Sequence, residues 1–311
     1  MEIINAIAPV FLLILLGKAL QSLHFFPETF LDQLNRFVYH LALPALLIAR
    51  ISQAQVDTPS ATRMITLFLL ATLATLALAW LLARLQKLTP AKAGAFIQGS
   101  FRGNGVFVGL PIILYAAGTL HPAAQQQASV MIAPIVIIFN LLAVTVLLQC
   151  GTLDRAHGKP LSFLLAHLFK NPMIIACLIG LLLNQLTLPL PTLILRPMEL
   201  LGSAALPLIL VSIGATLDLK GLRATAAPTI LASLLKIGIA PLIGYALIAP
   251  FQLTPTDALV TLIFLGVPTA GTSYVMAEVL GCDAPLAGRI IALSTLLSFL
   301  TLPALIALGI P

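Results

Sequence analysis

Charge is scarce in this sequence: Asp, Glu, Lys and Arg make up 8% of its 311 residues, against 60% hydrophobic residues and a mean hydropathy of +1.09. So little polar surface cannot cover a water-soluble globule, and the chain is expected in a lipid bilayer. Cysteine is scarce too. Cys150, Cys177 and Cys282 are odd in number and lack short pair spacing, which argues against a zinc site and against a disulfide framework. The five histidines form no H-E-x-x-H and no Walker loop follows any segment, so neither metalloprotease chemistry nor ATP hydrolysis has its residues. All ten carboxylates (Glu2, Glu28, Asp32, Asp57, Asp154, Glu199, Asp218, Asp257, Glu278 and Asp283) fall at or near the ends of apolar segments. An intramembrane aspartyl hydrolase would need a pair at depth, so the protein is expected not to be an enzyme and to carry no cofactor or metal.

What is present instead is long apolar runs. Strands crossing a membrane alternate apolar and polar residues, whereas Ile65 to Leu82 is apolar on every side, the pattern of a membrane helix of about 20 residues. Ten spans are expected, at 3–21, 34–51, 64–84, 93–117, 127–149, 167–187, 197–217, 225–248, 257–280 and 286–308, giving an all-α polytopic membrane protein. The first run has no basic n-region and no A-x-A-like cleavage site, so it is expected to stay as a span. The polar stretch 150–161 divides five spans from five. Residues 1–149 and 162–311 are thus expected to be two halves joined by a cytoplasmic linker.

The halves resemble each other. Moving the second back by 163 positions lays Pro172 on Pro9, Gly180 on Gly17, Ala205-Leu206-Pro207 on Ala42-Leu43-Pro44, Phe264 on Phe101, Gly266 on Gly103 and Gly281 on Gly118. The LTP triplets at 88–90 and 253–255 prefer a shift of 165. Because each half has an odd number of spans, a repeat must be inverted. Cationic residues agree with one orientation: eleven (Lys18, Arg36, Arg84, Lys87, Lys92, Arg155, Lys159, Lys170, Lys220, Arg223 and Arg289) flank the loops after odd spans, against Arg50, Arg63 and Arg196 opposite. Both termini are therefore expected outside or in the periplasm, the chain lying in the plasma membrane, which is the inner membrane of a Gram-negative cell. The net charge of +6 reflects this asymmetry and signals no nucleic-acid partner.

Chemistry concentrates at two interrupted segments, GNGVFVGLP from Gly103 to Pro111 and GVPTAGTSY from Gly266 to Tyr274. Glycines such as Gly105, Gly109 and Gly271, and prolines Pro111 and Pro268, are expected to interrupt the helical bond ladder there. The N–H and C=O groups so exposed must line a cavity, because lipid cannot satisfy them. Half-helix N-termini after each break suit a carboxylate, and loose carbonyls suit a cation. Arg102 and Asn104 sit near the middle of span 4 and Lys236 at the centre of span 8. Mid-membrane cations need partners, either a bound anion or the freed carbonyls. Thr269, Thr272 and Ser273 add neutral hydrogen-bonding groups at the same level. His40 is a candidate proton relay and Asn140 a candidate polar partner of the broken segments, each with helix packing as the alternative.

FRGNGVFVGLP in span 4, YHLALPALLIARIS at 39–52, LGSAALPLILVSIGATLDL at 201–219 and GVPTAGTSYVMAEVLG at 266–281 resemble the auxin efflux carrier family, particularly its bacterial members, in order and over essentially the whole chain. The resemblance implies two inverted five-helix repeats related to the bile-acid sodium symporter fold. It also implies helices 4 and 9 crossing at proline-containing breaks, and elevator-like movement of a crossover (transport) domain against a scaffold domain. By this likeness Asn104, seven residues before Pro111, is a substrate ligand and Pro268 marks the matching break; Ser273 stands where some relatives have a second proline. The long cytoplasmic loop of plant carriers is absent. Together these readings lead to a secondary transporter of a small organic anion, a carboxylate such as malonate or an auxin-like acid. A sodium-coupled symporter or a passive anion channel are the alternatives, and Na+ coupling and a homodimer are left open.

Overall fold

Proline following a short polar side chain starts several of the helices, because that side chain caps free N–H groups and proline has none to waste. In the computed structural model, which describes residues 2–54, 57–117, 123–151, 170–216 and 227–307, Asn171 accepts from the N–H groups of Met173 and Ile174 at 2.9 and 3.4 Å, and Thr254 from that of Asp257 at 3.2 Å. The described residues are helical almost throughout. Twelve helices run in order: α1 (Glu2–Ser22), α2 (Glu28–Phe37, continuing through Val38–Ala42 and Leu43–Ser52), α3 (Thr58–Leu85), α4 (Pro90–Phe101), α5 (Gly105–Gly109, Leu110–Ile112 and Ile113–Ala117), α6 (Ala123–Cys150), α7 (Pro172–Gln185), α8 (Thr192–Thr216), α9 (Ala227–Leu234, Leu235–Ile239 and Ala240–Phe251), α10 (Pro255–Gly266), α11 (Thr272–Val279) and α12 (Ala284–Ala307).

Where they are described, the expected segments are largely helical, with non-helical stretches at 102–104 and 267–271. Among the described residues, six helices are long and apolar enough to cross a membrane by length and composition: α2 from Thr29, α3, α6, α8, α9 and α12. Shorter apolar helices cover Ala8–Ser22, Gly105–Tyr115, Pro172–Gln185 and Pro255–Gly266. The expected linker 150–161 lies outside the described residues except for Cys150 and Gly151, as does Gly118.

The chain divides into two compact units, each drawing on both halves of the sequence. The first comprises residues 1–61, 106–136 and 167–217. Within it α1 packs on α8 and α7 on α2, with glycine at the closest points. A Cβ on Gly17 would lie 1.9 Å from the Val211 carbonyl oxygen, and one on Gly214 1.8 Å from that of Ile14. Only the absence of a side chain lets these backbones approach, the small-residue packing of membrane helices. Asn184 Nδ2 donates to the carbonyls of Ser52 and Ala54 at 3.2 and 2.7 Å, tying the end of α7 to the end of α2.

The second unit comprises residues 62–105, 137–166 and 218–311. Here α4 packs on α9, α11 and α12, and α10 on α9 and α12. α4 and α10 share a plan: each starts at the proline of an LTP triplet and runs twelve residues before it stops. The four non-glycine residues with positive φ among the described residues follow the same two registers. His24 (56°) and Thr187 (50°) are 163 positions apart, and Lys87 (52°) and Gln252 (50°) are 165 apart.

Pro111 does not interrupt its helix, contrary to expectation. It sits at the second position of Leu110–Ile112, between the π-helical turns Gly105–Gly109 and Ile113–Ala117. Pro44 and Pro241 follow π turns at Val38–Ala42 and Leu235–Ile239 with the same spacing. Proline lacks the N–H that would bond four residues back and its ring crowds that carbonyl, and a widened turn relieves the clash without ending the helix.

Candidate functional site

The chain leaves helical geometry at two places in the second unit. After α4, Arg102 turns extended (φ −76°, ψ 103°), and after α10 Val267 does the same (φ −61°, ψ 149°). The first break is thus at Arg102 to Asn104, before the Gly103–Pro111 motif has run its course, and the second spans Val267 to Gly271. The two stretches pair: the Asn104 N–H donates to the Pro268 carbonyl at 2.8 Å and the Ala270 N–H to the Arg102 carbonyl at 3.1 Å, with Gly103 opposite Thr269 in an antiparallel bridge. Backbone groups released by the breaks thus satisfy one another.

Side chains complete the arrangement. Thr269 donates its hydroxyl to the Gly99 carbonyl at 2.7 Å and its N–H to Ser294 Oγ at 3.1 Å. Arg102, 5% exposed, donates from Nη1 to Ser273 Oγ at 3.3 Å and from Nη2 to Asn140 Oδ1 at 3.1 Å. Ser273 and Asn140 are neutral, and these two contacts orient the guanidinium. Lys236 is wholly buried and donates from Nζ to the Leu265 carbonyl. Asn104 is 9% exposed, and among the described residues its side-chain amide meets no hydrogen-bond partner. Beside Gly271 there is open space, since a Cβ there would meet no atom within 4 Å. Thr272 next to it is half-buried.

Of the residues singled out in the sequence, Arg102, Asn104, Gly105, Asn140, Lys236, Pro268, Thr269, Gly271, Thr272 and Ser273 belong to this unit. Gly109, Pro111 and His40 belong to the other. His40 is exposed on α2, where its Nδ1–H donates to the Arg36 carbonyl at 3.0 Å and its ring meets Tyr39 edge to face. Two further residues take part, Ser294, whose sequence position suggests helix packing, and Gln98. Ser294 accepts the Thr269 N–H, and Gln98, one turn before Arg102, is wholly buried with Oε1 unpartnered while Nε2 points to Met276 Sδ at 4.0 Å. A polar side chain mid-segment was the available signal for both. Among the described residues, no group of three or more His, Cys, Asp or Glu could hold a metal ion.

Residues 2–306 match the family described as membrane transport protein, of the auxin efflux carrier type. The chain belongs to that family. Together with the apolar helices, membership places this membrane transport protein in a membrane. It is 27% identical over 301 residues to an uncharacterized transporter of Methanothermobacter thermautotrophicus, covering 96% of each chain. An uncharacterized transporter of Methanocaldococcus jannaschii is 25% identical over 303 residues, 94% of each. A protein of Rhizobium meliloti provisionally named a malonate transporter is 26% identical over 313 residues, 99% of this chain and 96% of the other.

Proposed function

We propose that this membrane transport protein is a secondary carrier of small organic anions, with malonate-like carboxylates or an auxin-like acid as the cargo class. The observation that carries the reading is the paired breaks with Arg102 and Asn104 on either side of Gly103: a buried guanidinium and an amide with spare donors. A carboxylate is the group such a pocket fits, because it accepts from both. The name of the Rhizobium relative points to the same chemistry. Gly105, Thr269, Gly271, Thr272 and Ser273 would shape the pocket.

Ten crossings in two inverted repeats form part of the proposal. Its support is the matched twelve-residue helices α4 and α10, the positive-φ residues in two registers, and the reciprocal packing of α1 on α8 and α7 on α2. In this reading α4 and α5 form span 4, α10 and α11 form span 9, and both termini face outward. The unit holding the paired breaks carries the cargo by an elevator-type motion, with the other unit as scaffold. Thermal melting of the detergent-solubilised protein with mono- and dicarboxylates tests it: stabilisation by a carboxylate is expected to fall sharply in Arg102→Ala and Asn104→Ala. Stabilisation that survives both removes the proposed site.

A further inference from the structure

Lys236 bonds the backbone at the end of α10 and lies against Gly103 of the first break. It is the second residue of the π-helical turn Leu235–Ile239 and is 0% exposed. Its ammonium donates to the Leu265 carbonyl in the last turn of α10. Were α10 to continue, that carbonyl would accept the N–H of Thr269, but the Thr269 N–H is bonded to Ser294. On the opposite side the lysine lies against the first break: a Cβ on Gly103 would come within 2.9 Å of Lys236 Cε and 3.2 Å of its Nζ.

Removing an ammonium from water is costly, and a buried one persists only where carbonyl oxygens or counter-charges replace its hydration. Carbonyls freed at broken helices offer that replacement, as does the negative end of the α10 dipole. Both also suit a monovalent metal ion, which is how unwound segments in carriers hold sodium. We infer that the Lys236 ammonium is a tethered monovalent cation, occupying the place of a dissociable coupling metal ion at the paired breaks. The site is thereby braced from within the chain, and cargo binding proceeds without sodium. This inference rests on the carrier reading only for transport; the cation's structural place stands apart from any cargo.

The experiment compares the full-length protein with Lys236→Ala and Lys236→Met. Melting and carboxylate uptake of the parent are expected to be the same in sodium, potassium and choline media. Parent melting or uptake that collapses when potassium replaces sodium overturns the inference. Lys236→Ala removes the equivalent of n-propylammonium, so its melting temperature is expected to drop and to recover with added n-propylammonium but not tetramethylammonium. Recovery with neither, or equally with both, overturns it. Lys236→Met keeps an apolar stem without charge and is expected to lose uptake by about tenfold or more with no response to the amine. A methionine variant that melts and transports like the parent also overturns it. Should the alanine variant fail to fold, the parent and methionine arms decide. Because the melting arms need no cargo, an absence of carboxylate binding by the parent would count against the carrier reading alone.

Discussion

Asn104 and Pro268 are joined through their backbones, the N–H of one donating to the carbonyl of the other at 2.8 Å. Proline offers a carbonyl but no N–H, so this pairing uses the half of Pro268 that exists. The bond places Asn104 beside the second break, and the register depends on the residue between Arg102 and Asn104 being glycine.

Gly103→Ala tests that dependence. The new methyl group would lie 2.7 Å from Val267 Cγ2 and 2.9 Å from Lys236 Cε, so something must shift. Overpacking of this kind costs about 1–3 kcal/mol. A lower melting temperature with weaker carboxylate stabilisation is expected; an unchanged melting curve would contradict the packing described.

The partners of Arg102 supply a second test. Asn140→Ala leaves a buried guanidinium N–H without its acceptor, at a cost of about 1–3 kcal/mol, and Ser273→Ala does the same for the other nitrogen. Each is expected to lower both stability and carboxylate-induced stabilisation, and the double variant is expected to deviate from additivity because both act on one side chain. Strict additivity would mean that the two contacts do not share the guanidinium's orientation.

In the first unit, Gly17→Ala or Gly214→Ala puts a methyl group onto a backbone oxygen at 1.9 or 1.8 Å. Backbone cannot rotate aside as a side-chain tip can, so α1 and α8 must separate. Either variant is expected to destabilise more than Gly103→Ala, read as a larger fall in melting temperature. An equal or smaller fall would show that the two helices have room to spare.

Cys282 lies between the ninth and tenth expected spans, and burial foremost, then Cys150 and Asp283, push its thiol up to about 12. The thiolate is the reactive form. Maleimide labelling at neutral pH is therefore expected to be far slower than that of a free thiol and to rise about tenfold per pH unit through the alkaline range. Fast labelling at pH 7 would place this thiol in contact with water.

The all-helical, membrane-embedded character was legible because lipid-facing helices must be apolar throughout, and the breaks because glycine and proline recur in matching positions. Arg102 and Asn140 could be paired in outline, both being polar residues in mid-segment. A freed carbonyl was one of the two partners expected for Lys236, but which carbonyl could not be read, since a carbonyl belongs to every residue alike and leaves no mark in the sequence. The position of the first break was also misjudged. Proline suggests a rupture at Pro111, but a π turn absorbs it and the chain opens at Arg102 instead. The residue bounds of the two interleaved units could not be read from the sequence itself, because a linker in the middle of a sequence shows where the chain pauses, not which segments pack together.

The pairing of π turn with proline at Pro44, Pro111 and Pro241 also constrains how this sequence can drift. Each helical residue turns the chain by about 100°, so deleting the extra residue of Leu235–Ile239 would swing every later side chain of α9 onto a different face. Replacing Pro241 alone would leave a widened turn with nothing to accommodate. Proline and insertion are thus expected to be gained or lost as one event, and a descendant that has shed only one of them would carry a helix facing the wrong neighbours.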